Sequence, residues 1–216
     1  GGNISDENKS KIEKLEKVGT EEQNAMRNFF EVTEMVNYRD ESRNVEIAAL
    51  PLNDYRLTVM VDYNSPVLGS QHASITDISQ FKKEIASCRT FCFLHEIEQL
   101  YKQNLIKGGD LSNAIVVVDR VVEESEIQYL ADLFRQPKVE VQSEGILNNL
   151  ELRYKNEPAR HKLLDLVGDL ALAGRPLKAQ ILAARPGHAA NVEFARKLKR
   201  LMKEQSKSPV PYYDPK

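Results

Sequence analysis

Sulfur chemistry is scarce in this chain: its 216 residues include two cysteines, Cys88 and Cys92. Two thiols cannot build the disulfide framework of a small secreted protein. Without more Cys or His at useful spacing they do not make a metal site either. They read as reduced, partly buried thiols of a cytoplasmic protein, on one face of a strand. An excess of one charge is also missing. Lys and Arg number 30 and Asp and Glu 32, a net charge of −2. No basic surplus is left to neutralise a phosphate backbone, which excludes nucleic acid as the expected partner. Long apolar runs are absent: stretches such as residues 114–118 are far too short to cross a bilayer, so no transmembrane segment is expected. The first residues are polar and charged, unlike a signal peptide. There is no usable internal repeat. There is also no nucleophile elbow or placeable Ser-His-Asp set, which argues against metal-independent acyl transfer.

What is present suffices for a core. Hydrophobic residues make up 41% and charged residues 29%, close to globular averages. Residues 3–17 read as a short polar helix whose apolar face is Ile12, Leu15 and Val18, stopped by Gly19. Period-two alternation predicts strands over 29–32, 45–50 and 55–61. A helix is expected over 78–86, a strand over 90–93, a helix over 94–103 and a buried strand over 114–118. Residues 123–134 form an acidic amphipathic helix and 138–141 a further strand. Asn156 and Pro158 suit the start of a helix that Gly174 ends. A strand over 177–184 and a helix over 189–203 follow. Residues 206–216 hold three prolines and read as a tail or linker. This order of strands and helices predicts an α+β domain, with helices packed on one side of a mixed sheet.

The chemistry concentrates in Glu157-Pro158-Ala159-Arg160-His161-Lys162-Leu163-Leu164-Asp165-Leu166-Val167-Gly168-Asp169. Positions i and i+4 differ by about 40° around a helix, so His161 and Asp165 project from one face and could grip a divalent metal. The same spacing suits an ordinary intrahelical pair on a wetted face. Asp169 extends the stripe by another turn, while Leu163, Leu164, Leu166, Val167 and Leu170 would bury the helix. A polar stripe on a largely buried helix needs partners. His188, in Gly187-His188-Ala189-Ala190-Asn191, stands at a helix start. It either simply caps or acts as a general acid. The helix N-terminus disfavours its imidazolium, and a carboxylate such as Asp169 favours it. Thr90 alone is an ordinary strand threonine. His72 and His95 have no supporting pattern and read as surface or structural residues.

Four motifs in register carry a resemblance: Ser87-Cys88-Arg89-Thr90-Phe91-Cys92-Phe93, Lys107-Gly108-Gly109-Asp110-Leu111-Ser112-Asn113, the His161 run, and Gly187-His188-Ala189-Ala190-Asn191. Over residues 19–202 the chain resembles the second domain of the zinc-dependent UDP-3-O-acyl-N-acetylglucosamine deacetylase of lipid A biosynthesis. The tail resembles the linker of forms fused to a 3-hydroxyacyl-carrier-protein dehydratase, which implies a possible fused dehydratase domain as partner. The resemblance divides the chain into residues 1–19, like the last helix of a first domain, 20–204, the second domain, and 205–216, the tail. It implies Zn2+ as cofactor, held by His161 and Asp165. It implies that His188 stabilises the intermediate and protonates the departing amine, with Asp169 orienting it and Thr90 helping to hold the oxyanion. Lys162 and Arg185 match basic positions that approach the diphosphate or sugar. Tyr63 matches an aromatic packed on uracil. Phe91 and Phe93 match positions near the sugar and the acyl passage. Residues 94–118 match a small inserted β-α-β element that shapes a groove for the acyl chain.

Two departures qualify these expectations. The first domain, which in the family supplies a third zinc histidine and the glutamate general base, is not found here. The chain is thus expected to carry about half the active site and to be inactive alone. Second, a loop of about twenty-five extra residues lies between Arg120 and Gly145, carries the acidic helix and reads as structural or interfacial. A competing reading is a non-catalytic module that binds UDP-sugar or acyl chains or serves as a scaffold.

Overall fold

The computed structural model describes residues 29–97, 103, 114–134, 137–148 and 150–205. The helix expected over 3–17 and the tail over 206–216 lie outside them. Eight strands and four helices can be named: β1 (Phe30–Glu31), β2 (Val36–Asp40), β3 (Val45–Leu50), β4 (Tyr55–Asp62), β5 (Ser70–Ile75), α1 (Phe81–Glu84), β6 (Thr90–Phe93), β7 (Ala114–Val117), α2 (Glu124–Phe134), α3 (Glu157–Leu170), β8 (Leu177–Ala184) and α4 (His188–Gln205).

The larger sheet is mixed, in the order β2-β3-β8-β4-β5, with β1 paired to the start of β8. Strand β8 is central. It runs antiparallel to β3, with Ile47 opposite Ala183, and parallel to β4, with Leu57 opposite Ile181. Alternation orients the sheet. Val45, Ile47 and Ala49 of β3, Leu57, Val59 and Val61 of β4, and Leu177, Ala179, Ile181 and Ala183 of β8 are all buried. They meet Ala159, Leu163, Leu166 and Leu170 of α3 and Ala190, Phe194, Leu198 and Met202 of α4 in one core. Steps of three and four residues put each helical set on a single stripe, so both helices lie on one face of the sheet. This is the α+β arrangement the sequence predicts.

The second sheet is β6 and β7, parallel, with Thr90 opposite Ala114 and Phe93 opposite Val117. Parallel neighbours need a crossover, and residues 94–97 begin it as helix. The β-α-β element therefore starts at Thr90, earlier than the 94–118 expected, because its first strand is the strand predicted separately at 90–93. Residues 98–102 of the helix expected over 94–103 lie outside the described residues. One face of this small sheet packs Leu94, Ile97, Val116 and Val118 against Leu130 and Ala131 of α2 and against Val139 and Leu147. The acidic helix between Arg120 and Gly145 thus buries one side of this sheet. Its other face joins Ile115 and Val117 to Leu68, Ile146, Tyr63, Phe91 and Phe93.

Several local expectations need correction. β2 and β5 were not legible as strands: β5, Ser-Gln-His-Ala-Ser-Ile, places only Ala73 and Ile75 in the core and is otherwise polar. Residues 138–141 make no strand, only a bridge from Val141 to Leu147. Cys88 precedes β6, so the two thiols do not share a strand; both are free. Asn156 occupies the N-cap of α3 without capping. Its Nδ2 donates to the His72 carbonyl at 2.8 Å and its Oδ1 accepts from Arg160 Nε at 3.0 Å, so the side chain is spent on tertiary contacts. Gly174 ends the helical run at φ +88° as expected.

Candidate active site

The site forms where α3 and α4 converge beside the start of β6. Glu157, His161, Asp165 and Asp169 rise along α3 at four-residue intervals. Their burial is unusual for such a row: Glu157 is fully buried and Asp165 is only 8% exposed. Buried carboxylates require partners, and each has one.

His161 is oriented from both ends. Its Nδ1 lies 3.1 Å from the Cys88 carbonyl oxygen. A carbonyl only accepts, so Nδ1 carries the proton and a neutral ring leaves its Nε2 lone pair free. Nε2 is 3.4 Å from Asp165 Oδ1, and Lys162 Nζ is 3.3 Å from Asp165 Oδ2. His188, the first residue of α4, is tied to Asp169: its Nδ1 is 2.8 Å from Asp169 Oδ2. Its Nε2 stands 3.9 Å from Asp165 Oδ1. Asp165 Oδ1 therefore lies between two imidazoles, and the His188 ring is 69% exposed.

An aromatic wall borders this row. The Tyr63 and Phe91 centroids are 5.0 Å apart at 76°, and Phe93 lies 6.5 Å from Tyr63 and 6.4 Å from Phe91. Such edge-to-face contacts are favourable. Lys162 Nζ stands 5.6 Å from the Phe91 ring centroid. The Tyr63 hydroxyl is buried and has no hydrogen-bond partner among the described residues. Burial, then the charge of Asp165, pushes its pKa well up, so it stays a neutral phenol. Thr90 opens β6 on an exposed position, two residues beyond the carbonyl that holds His161.

The fold thus gathers His161, Lys162, Asp165, Asp169, His188, Tyr63, Phe91 and Phe93. Arg185 is held elsewhere. At φ +51° it follows β8, and its Nε and Nη2 donate to the Asn44 carbonyl and Oδ1, the latter at 2.8 Å. It lines an open pocket of about 550 Å³ with Met60, Asp62, Gln71 and His72.

Three residues that sequence reasoning passed over also serve the site. Glu157 accepts from the Arg89 backbone N and Nε, both at 2.9 Å, and Asn191 donates to Asp169 Oδ2 at 2.9 Å. Glu157 could have been found, since it continues the four-residue stripe by one step before His161. Asn191 follows His188 by three residues on the same helical face. Arg89 had no signal, because its partner is 68 residues away.

As donors, His161 Nε2 and Asp165 suit a divalent cation such as zinc, and they are two of the four contacts a tetrahedral site needs. Among the described residues no three His, Cys, Asp or Glu side chains form a metal-holding group. No described helix is long and apolar enough to cross a membrane.

Carboxylates of one helix row set beside two oriented imidazoles mark this as the candidate functional site of the described residues. The chain belongs to the UDP-3-O-acyl N-acetylglycosamine deacetylase family, whose model matches residues 8–136 and 136–200. It is 52% identical over 196 residues to the bifunctional enzyme LpxC/FabZ of Chlorobaculum tepidum, covering 87% of this chain and 41% of that protein. Its identity to the bifunctional enzyme LpxC/FabZ of Bacteroides thetaiotaomicron is 43% over 189 residues, 88% of this chain and 41% of that one. To the UDP-3-O-acyl-N-acetylglucosamine deacetylase of Chlamydia caviae it is 37% over 161 residues, covering 73% and 49%. The chain thus spans less than half the length of these relatives.

Proposed function

We propose that the chain contributes roughly half of the active site of a zinc-dependent hydrolase that removes the N-acetyl group from UDP-3-O-acyl-N-acetylglucosamine in lipid A biosynthesis, in the cytoplasm. The carrying observation is Asp165 Oδ1 set between His161 Nε2 at 3.4 Å and His188 Nε2 at 3.9 Å. His161 and Asp165 would hold the metal. When bound, zinc would polarise the amide carbonyl and lower the pKa of water.

The chain's own residues would supply further parts of the site. Asp169 accepts a hydrogen bond from His188 Nδ1–H and presents Nε2 outward. As an imidazolium the ring would use Nε2–H to stabilise the developing negative charge and then give that proton to the departing amine, leaving the neutral ring. Thr90 offers a hydroxyl to the oxyanion. Lys162 brings a positive charge for the sugar diphosphate, and Tyr63, Phe91 and Phe93 give an apolar wall for sugar and acyl groups. Arg185 would reach the diphosphate only by releasing Asn44. The third metal ligand and the general base come from outside the described residues, in a first domain. A fused dehydratase is the natural neighbour, in line with the LpxC/FabZ names of two relatives.

Zinc stoichiometry and affinity by competition with a chelating dye test this first. We expect weak binding by the 216-residue chain, abolished in His161→Ala, and negligible deacetylation until a first domain is supplied. Robust turnover by the 216-residue chain alone, lost in His161→Ala, would overturn the half-site proposal. UDP binding that ignores zinc and this substitution would favour a non-catalytic sugar-nucleotide module.

A further inference from the structure

Glu157 is the most deeply buried charge of the described residues, at 0% exposure, and its carboxylate is held by Arg89 and Arg153, both outside its own helix. Oε1 accepts from Arg89 N and Nε, both at 2.9 Å, and Oε2 accepts from Arg89 Nη2 at 3.0 Å and Arg153 N at 2.7 Å. Arg89 Nη2 also donates to the Glu151 carbonyl at 2.6 Å, and Arg153 Nη1 donates to the Ser87 carbonyl. Three pieces of chain are tied together: residues 87–89, residues 151–153 and the first turn of α3. The tie sits one residue from Cys88, whose carbonyl receives His161 Nδ1.

A buried ion pair is a weak stability device, because a well-packed apolar pair often does as well or better. Its geometric consequence is sharper. The 88–89 segment leads into β6, whose sheet has two named strands among the described residues. A two-stranded unit alone is marginal, and a loop before it would not by itself hold one carbonyl at hydrogen-bond distance from a ring on another element. We propose that Arg89 and Glu157 are positioning residues: their buried bidentate pair presents the Cys88 carbonyl to His161 and so keeps the imidazole in its Nδ1–H form, with Nε2 open towards Asp165. The same tie sets the backbone from which Thr90 follows.

The test uses the 216-residue chain labelled with 15N-histidine at alkaline pH, where imidazoles are neutral. The His161 signals are assigned by their loss in His161→Ala. Wild type should show the Nδ1–H tautomer at His161. Glu157→Gln and Arg89→Lys should shift its ring nitrogens towards an average of both tautomers while the other histidines stay put. Zinc affinity should fall about 10- to 100-fold in both, the usual effect of losing a partner behind a ligand. If Glu157→Gln does not fold, Arg89→Lys carries the test, since it keeps the charge and loses only the fork. Folded variants with lower melting temperatures but an unchanged His161 tautomer would overturn the proposal and leave the pair a structural tie. The zinc arm rests on the function proposed above, and the tautomer arm does not. Wild-type zinc binding that is indifferent to His161→Ala would fail that reading and leave the tautomer result standing.

Discussion

Tyr63 shows what one residue contributes and withholds. Its ring closes the aromatic wall, yet its hydroxyl is buried without a partner among the described residues. An unsatisfied buried hydroxyl costs about 1–3 kcal/mol, so Tyr63→Phe should raise stability by about 1 kcal/mol in urea melts. An unchanged or lower midpoint would mean the hydroxyl finds a partner in solution. Cys92 has the opposite use. Burial, then the charge of Glu96, raises its thiol to about 11. The thiolate is the nucleophile, so alkylation of Cys92 should stay slow at neutral pH and accelerate only as pH approaches that value. Fast modification at pH 7 would contradict this environment.

Among the elements, two glycines at positive φ separate strain from crowding. Gly174, at φ +88°, ends the helical run with open space where a Cβ would go. Gly145, at φ +74°, would place a Cβ 2.6 Å from Val67 Cγ2 and 3.3 Å from the Val118 carbonyl oxygen. Both substitutions to alanine incur left-handed strain of about 1 kcal/mol. Only Gly145→Ala must also displace a β-branched neighbour, so its loss should reach about 2–3 kcal/mol. Equal melting shifts for the two variants would show that Val67 yields freely. The elements also explain what was readable beforehand. β3, β4 and β8 alternate cleanly because one face is core. β5 hides in the sequence because its outward residues are polar and its inward ones, Ala73 and Ile75, are few.

At the scale of the whole molecule, Arg89 and Glu157 join the small sheet to the helix layer of the large one. Burial pushes the Glu157 carboxyl up, but hydrogen bonds from Arg89 and the amides of Arg89 and Arg153 more than offset this and leave it below its ordinary 4.5. A carboxylate depressed in the folded state contributes stability that is fully present above its unfolded value and is lost as pH falls through the folded one. Wild type should therefore lose melting temperature below about pH 4.5 more steeply than Glu157→Gln, which has no such proton to take up. Parallel curves would place the acid sensitivity elsewhere. Removing one partner strands the other charge, so Arg89→Ala should cost about 3–5 kcal/mol at pH 7.

Local order determined much of this by itself. The i, i+4 step put His161, Asp165 and Asp169 on one stripe, the leucines between them required that stripe to be buried, and the four motifs identified the family. These depend on neighbours within a turn, which a sequence displays. Tertiary structure alone decided which groups answer the stripe. The Cys88 carbonyl, 73 residues from His161, sets its tautomer; Arg89, 68 residues from Glu157, anchors that carbonyl; and Asn156 gives up its cap to bond the carbonyl of His72, 84 residues away. The physical reason is common to all three. A polar group taken from water must be matched by some partner, but only the packed sheets and helices determine which one lies within hydrogen-bond reach.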